Sequence, residues 1–394
     1  MTMLTGLELR NFKCFRQQPL EFAPLTVLAG LNGMGKSSVI QALLLLRQSF
    51  ASLGSRRLQL QGDLVDLGTG SDVFFDLADE DELGFTTEVD HKFRSEYLFR
   101  YNRESNRLAA ITSDQRRSGP TRRLERQPDG SWVPFERQRP APHPALLMTT
   151  RFQYLSAERL GPRKTLPWSD DQASRRALGS QGEYVLAFLA RHGGETLPDN
   201  DPRLSPTQPS ASTSIEGQVT EWLQETSPGS VLSIGELRDV DALSARFAYR
   251  RRGDVASKPF RATNVGFGLS YVLPVLTALI AARRGDLVIV ENPEAHLHPR
   301  GQTKLGELSA RAAKAGVQVI VETHSDHFLD GLRIAVRGKT LAAAEVRIHY
   351  FTRHGAEAAV ISPVIKADGS LTDWPTGFFD ERDDNLIRLL APIG

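Results

Sequence analysis

The sequence predicts an α/β fold: a mixed, largely parallel sheet with flanking helices and an antiparallel β lobe, split by a long inserted α+β lobe. Three observations carry this expectation. An apolar extended run at residues 25–29 enters a glycine-rich turn and leaves it in a helix-forming run at 39–46. Beyond residue 264, short apolar runs alternate with helical ones, the pattern of a parallel sheet with right-handed crossovers. The stretch between these regions has antiparallel patterning and breaker-rich gaps of its own.

Taken in order, residues 4–12 (LTGLELRNF) alternate apolar and polar and predict a strand. The turn after the second strand reads GLNGMGKS at 30–37 and fits G-x-x-x-x-G-K-[ST]. In such a loop backbone N–H groups cradle phosphates, Lys36 reaches the terminal phosphates and the Ser37 hydroxyl ligates Mg²⁺. The anion would rest on a helix N-terminus, where unpaired donors and the helix dipole favour it. The candidate phosphate-binding residues are Gly30, Asn32, Gly33, Gly35, Lys36, Ser37 and Ser38. Residues 58–68 alternate again and close on glycines, and 83–112 alternate in a way that predicts antiparallel strands.

Residues 113–145 and 197–213 read as long exposed loops, and helical spacing occupies 181–191 and 217–225. No repeat or sustained heptad appears, so no coiled-coil arm is encoded. Residues 287–290 predict a buried parallel strand, and a helix follows Pro299, a residue suited to a first helical position. A second buried strand at 317–321 leads to a helix over 325–336. A closing hairpin at 346–350 and 358–364 and a short helix near 385–390 complete the chain. The boundaries expected are 1–75 and 261–345 for the two halves of one head, 76–260 for the inserted lobe, and 346–394 for the terminal hairpin and helix.

Of the 394 residues 40% are hydrophobic and 24% charged, the balance of an ordinary globular protein. The sequence shows no apolar run of bilayer length and no signal-peptide pattern, so a cytoplasmic protein without a membrane partner is expected. The single cysteine, Cys14, excludes an intrachain disulfide and a cysteine-based metal cage. The net charge of +1 is unevenly spread. From Arg94 to Arg163 arginines outnumber acids, with pairs at Arg116–Arg117, Arg122–Arg123 and Arg137–Arg139. That stretch offers contact to DNA, RNA or an acidic partner; its plainer reading is a solvated loop.

Glu291 ends the apolar run Val288-Ile289-Val290, where ligand sites of α/β sheets lie. Its oxygens suit the water shell of Mg²⁺ opposite Ser37. The plainer reading, a strand cap, weighs less beside a phosphate loop in the same chain.

Four segments together, LRNFKCF (9–15), NVGFG (264–268), ENPEAHLHP (291–299) and ETHSDH (322–327), resemble ABC-type ATPases. The resemblance is nearest to the SMC/RecF-like group and the overcoming-lysogenisation-defect (OLD) lineage, over roughly 1–75 and 260–380. YLSAERLGP (154–162) and DWPTGFFD (373–380) resemble compact members found in phage-defence settings. The resemblance implies an ABC-type head that binds ATP and Mg²⁺ between two copies of the chain. NVGFG would be the signature loop, with Gly266 and Gly268 allowing close approach to the γ-phosphate of the partner's nucleotide. It departs from the LSGGQ form of the family. His324 matches the switch histidine, Ala295–His298 the D-loop, and Gln61 the glutamine that contacts Mg²⁺ or water.

One departure concerns the chemistry. Asn292 stands where the family's general-base glutamate stands, and an amide cannot accept the water's proton. Glu294 is the other candidate base, or Asn292 orients water, because phosphoryl transfer needs positioning and charge neutralisation above basicity. The candidate catalytic residues are therefore Glu291, Asn292, Glu294 and His324, and the candidate metal contacts Ser37, Glu291 and Gln61. Slow ATP hydrolysis is expected, regulating a separate effector such as a nuclease in prokaryotic anti-phage defence. No Toprim nuclease domain is expected, because the residues after His324 lack its strand–helix alternation.

Two other readings compete. A nucleotide-gated scaffold or sensor on nucleic acid, without turnover, fits Asn292 and the arginine-rich stretch. A metal hydrolase would use His296, His298, His324, Asp326 and His327, but leaves the phosphate loop unexplained.

Overall fold

A computed structural model describes residues 2–51, 58–104, 107–117, 124–126, 132–134, 151–207, 212–250, 257–354, 357–375, 377 and 381–390. Two compact units divide the chain: Met1–Arg151 with Arg347–Pro363, and Phe152–Val346 with Val364–Gly394.

The first unit holds a five-stranded antiparallel sheet in the order Phe15–Glu21, Leu4–Phe12, Glu82–Val89, Phe93–Asn102, Arg107–Arg117. Alternation decides its faces: Leu7, Leu9, Phe85, Phe99 and Tyr101 are buried, while Glu8, Arg10 and Arg94 lie between them on the other face. Phe12 and Phe85 meet edge to face at 5.2 Å. In the same unit Leu25–Gly30 lies beside Val346–His354, which pairs antiparallel with Glu357–Ile361 in the register Tyr350↔Ile361. Leu25, Val27, Leu28 and Ala29 are fully buried, as in a strand covered on both faces. The helix Lys36–Ala51 follows.

Residues 58–68 form a tight loop rather than a strand, closed by one bridge, Gln61↔Asp66. The buried Gln48 amide replaces a strand neighbour. It donates to the carbonyls of Gln59 and Val65 and accepts from the N–H groups of Leu64 and Val65. The long loop expected over 113–145 is entered by the strand Arg107–Arg117 and interrupted by the pair Leu124–Arg126 and Trp132–Pro134. Residues 118–123, 127–131 and 135–145 lie outside the described residues.

The second unit is built on three parallel strands with Leu287–Glu291 in the middle, Gln318–Glu322 on one side and Phe152–Leu155 on the other. Its flanking helices start on side-chain caps. His298 caps Pro299–Lys314 and Ser325 caps Asp326–Arg337. These two helices approach through bare backbone: a Cβ at Gly306 would stand 2.3 Å from the Phe328 carbonyl oxygen, and one at Gly331 2.1 Å from that of Thr303. The helix Phe267–Ala281 is buried along most of its length. Its C-terminal carbonyls at Ile280 and Ala282 accept from Arg203, a buried guanidinium also paired with Asp201 at 2.7 Å. Expected helices at 181–191 and 217–225 appear as Val185–His192 and Ile215–Thr226. The first starts late because Gly179 and Gly182 take φ of +78° and +76°, and a Cβ at Gly182 would strike the Pro274 ring at 2.7 Å. The chain closes on the helix Glu381–Leu390. No helix among the described residues is long and apolar enough to cross a membrane.

Candidate functional site

In the first unit, the strand Leu25–Gly30, buried up to Ala29, ends in a turn made by three glycines at positive φ: Gly30 (+133°), Gly33 (+74°) and Gly35 (+102°). Two of them are also squeezed. A Cβ at Gly30 would lie 2.4 Å from the Phe351 carbonyl oxygen, and one at Gly35 2.5 Å from the Phe15 ring and 2.7 Å from Cys14 Sγ. Gly33 faces open space and is exposed, as is Asn32. The backbone there is bare toward solvent and bent so that its N–H groups can converge on an anion.

Lys36 opens the helix Lys36–Ala51 and is only 3% exposed. Its Nζ donates to the carbonyls of Gly30 and Leu31, both at 2.8 Å, which holds the ammonium over the loop. Ser37 is exposed in the first turn, while Ser38 is buried with its N–H on the Gly35 carbonyl. Burial pushes the neighbouring Cys14 thiol up and lowers Lys13, whose Nζ donates to Gln41. Gln61 is exposed at the turn of the loop 58–68; the glutamine buried in that loop's structure is Gln48.

In the second unit, the middle strand delivers Glu291 at its carboxyl end. One Glu291 oxygen accepts from the Tyr154 hydroxyl at 2.8 Å. Burial raises its proton affinity, against the opposing pull of that hydroxyl, the Ala157 N–H and the Arg159 charge. The chain then turns through Asn292 at a left-handed φ of +43°, fixed by its N–H on the Glu322 carbonyl at 2.8 Å. Glu294 follows, with one oxygen accepting from the His324 N–H at 2.8 Å. Burial raises Glu294 as well, moderated chiefly by that N–H. Asn292 Oδ1 and Glu294 Oε2 are both buried without a hydrogen-bond partner among the described residues. Two orphaned acceptors in one turn are uncommon outside functional sites.

Glu291, Asn292, Glu294 and His324 thus share one turn system. Ser325 extends it, donating to Gln302, whose amide in turn donates to the Leu297 carbonyl. His296, at φ +62°, packs its ring on Phe267 (5.6 Å) and Tyr271 (4.6 Å). The NVGFG segment enters the helix Phe267–Ala281 with exposed Gly266 at the cap. A Cβ at Gly268 would stand 2.6 Å from the His296 carbonyl oxygen, so that glycine lets the helix touch the Ala295–His298 turn. The histidines do not converge as a hydrolase would need: His296 is spent in an aromatic cluster and His298 caps a helix. Among the described residues no three His, Cys, Asp or Glu side chains gather into a metal-sized group.

Sequence reasoning missed two residues of this turn system. Tyr154 reaches Glu291 only because residues 152–155 and 287–290 pair in parallel. Arg159 is 2% exposed and grips the backbone around Glu291 and Asn292. The motif YLSAERLGP contained both, but gave no local sign of their roles. Of the basic stretch, Arg159 is withdrawn into the protein, and Arg94, Arg100 and Arg103 are exposed but paired with Glu8, Glu82 and Asp81. Arg122, Arg123, Arg137 and Arg139 lie outside the described residues.

Residues 25–330 match the family described as "AAA domain, putative AbiEii toxin, Type IV TA system", and residues 341–389 match a family of unknown function, DUF3696. No curated protein matches the chain. Among solved structures, an SMC head domain from Thermotoga maritima is similar at 13% identity and a TM-score of 0.45, over 91% of this chain and 98% of that one. An Smc head domain with an extended coiled coil, bound to the C-terminal domain of ScpA derived from Pyrococcus furiosus, is similar at 12% identity and a TM-score of 0.49, over 99% of this chain and 100% of that one.

Proposed function

The chain belongs to the AAA-domain family described as putative AbiEii toxin of a type IV TA system, and from that premise we propose that it binds ATP with Mg²⁺ in the cytoplasm and hydrolyses it slowly. The observation that carries this reading is the phosphate loop: three glycines at positive φ leading into the helix that Lys36 opens, with its ammonium held over the turn. Gly30, Asn32, Gly33, Gly35 and Ser38 supply the backbone cradle, and Lys36 the compensating charge. Ser37 and Glu291 are the oxygen ligands suited to Mg²⁺, which when bound neutralises charge on the phosphates. Gln61, exposed at its turn, is the weaker candidate for a contact to the metal or its water.

Glu294 is the proton acceptor in this reading. Burial raises its basicity, opposed by the His324 N–H and the Thr323 side chain, and Oε2 has no hydrogen bond among the described residues. Asn292 orients the water through Oδ1, and His324 is tied to the same carboxylate through its backbone N–H. A base held by a neighbour's N–H and an amide at the usual base position support slow turnover.

The resemblance to ABC-type heads supports a dimer closed around ATP, with Gly266 and Gly268 of one copy meeting the nucleotide of the other. Regulation of a separate effector protein such as a nuclease, in anti-phage defence, is supported by the resemblance of YLSAERLGP and DWPTGFFD to compact members found in phage-defence settings. A second reading, a nucleotide-gated scaffold on DNA or RNA without turnover, is favoured by Asn292 and by the arginine-rich stretch. Titration calorimetry with ATP and Mg²⁺ tests the core of the proposal. The expected result is binding by the parent chain and none by Lys36→Ala; a parent that gives no heat overturns it. Phosphate release then separates the two readings, since the scaffold predicts ATP binding with none.

A further inference from the structure

Arg159 has an unusual set of partners. Its guanidinium is buried, yet it donates to four backbone carbonyls: Ser156 at 2.8 Å, Glu291 at 2.6 Å, Asn292 at 2.7 Å and Tyr271 at 3.2 Å. It also lies 5.5 Å from the centre of the Tyr271 ring. Glu291 and Glu294 face it electrostatically, although neither carboxylate is within ion-pair distance among the described contacts. A planar fork with five N–H donors is suited to hold several carbonyls at fixed angles, which an ammonium cannot do.

The carbonyls come from three segments far apart in sequence. Two belong to the acid turn, one to the first turns of the helix Phe267–Ala281, and one to the loop that carries Arg159. The same helix touches the acid turn a second time, where Gly268 meets the His296 carbonyl and Tyr271 stacks on the His296 ring. The glycine-rich end of that helix and the turn bearing Asn292 and Glu294 are therefore joined at two points, one of them a charged fork.

We propose that Arg159 is a positioning residue that couples the NVGFG helix to the acid turn, so that a change at the helix's exposed end alters how Asn292 and Glu294 are aimed. This rests on the hydrolytic reading above. Asn292 turns the chain at a left-handed φ, a conformation asparagine tolerates, and Arg159 grips the carbonyl of that residue. Releasing the fork lets the turn relax while it removes no contact of Lys36 or of the glycines in the phosphate loop.

The test uses the full chain with Arg159→Gln and Arg159→Lys, measuring ATP affinity by calorimetry and steady-state phosphate release. Affinity and KM should stay within about twofold of the parent, while kcat falls about tenfold to a hundredfold in Arg159→Gln, as misplacement by about 1 Å does. Arg159→Lys should lie between, since it keeps the charge and loses the fork. A folded Arg159→Gln with unchanged kcat overturns the proposal, and if that variant does not fold, unchanged kcat in Arg159→Lys does so. A parent that binds ATP without turnover defeats the hydrolytic reading instead. The coupling is then read as ATP-dependent protection from hydrogen exchange over 291–296, which should be lost in the Arg159 variants and whose persistence overturns it.

Discussion

Burial makes Glu294 a stronger base and a costlier anion. Its carboxyl is held above the ordinary carboxylate range in the folded chain, so the stability it contributes is present below its unfolded pKa and is lost as pH rises through the folded value. Glu294→Gln removes that buried charge. The variant should melt higher than the parent at neutral pH, with the advantage shrinking as the solution is acidified, while phosphate release falls. Melting curves across pH, paired with the release assay, check both halves; unchanged turnover assigns proton acceptance elsewhere. At this scale the sequence was only partly legible. Glu291, Asn292 and Glu294 stood out because an apolar run ended on them. Arg159 and Tyr154 did not, because their roles depend on carbonyls and a carboxylate more than 100 residues away. Gln61 and Gln48 were indistinguishable by residue type, and only packing shows that Gln48 holds the loop.

Elements were easier to read than residues. The runs at 287–290 and 317–321, the helix after Pro299 and the hairpin after residue 346 all appear, because each carries its period in consecutive residues. What patterning could not supply was the anchoring between elements. The helix Phe267–Ala281 ends without a glycine cap; its last carbonyls rely on Arg203, which arrives from a loop whose composition predicts only exposure. Arg203→Ala leaves those carbonyls and the buried Asp201 without their partner. The expected cost is about 3–5 kcal/mol, the range for breaking a buried ion pair from one side. Urea unfolding of the variant measures it, and a loss below about 1 kcal/mol would place the pair among surface bridges.

For the whole molecule, the α/β class followed from two regions with different periods, one of period two and one alternating strand with helix. Self-association around ATP comes from resemblance, and its check is hydrodynamic. Size-exclusion chromatography with light scattering should give a larger mass with ATP and Mg²⁺ than without, and Lys36→Ala should abolish the increase. An unchanged mass with saturating ATP would confine the nucleotide to a single copy.

The seam between Pro299–Lys314 and Asp326–Arg337 has a practical consequence. These helices begin just after the Ala295–His298 turn and just after His324, and they touch where Gly306 and Gly331 have no side chain. A methyl group at position 331 must wedge them apart, at about 1–3 kcal/mol, the usual range for overpacking. Gly331→Ala should therefore behave as a heat-sensitive allele, folded and ATP-binding in the cold and inactive on warming, giving a reversible means of withdrawing the protein from living cells.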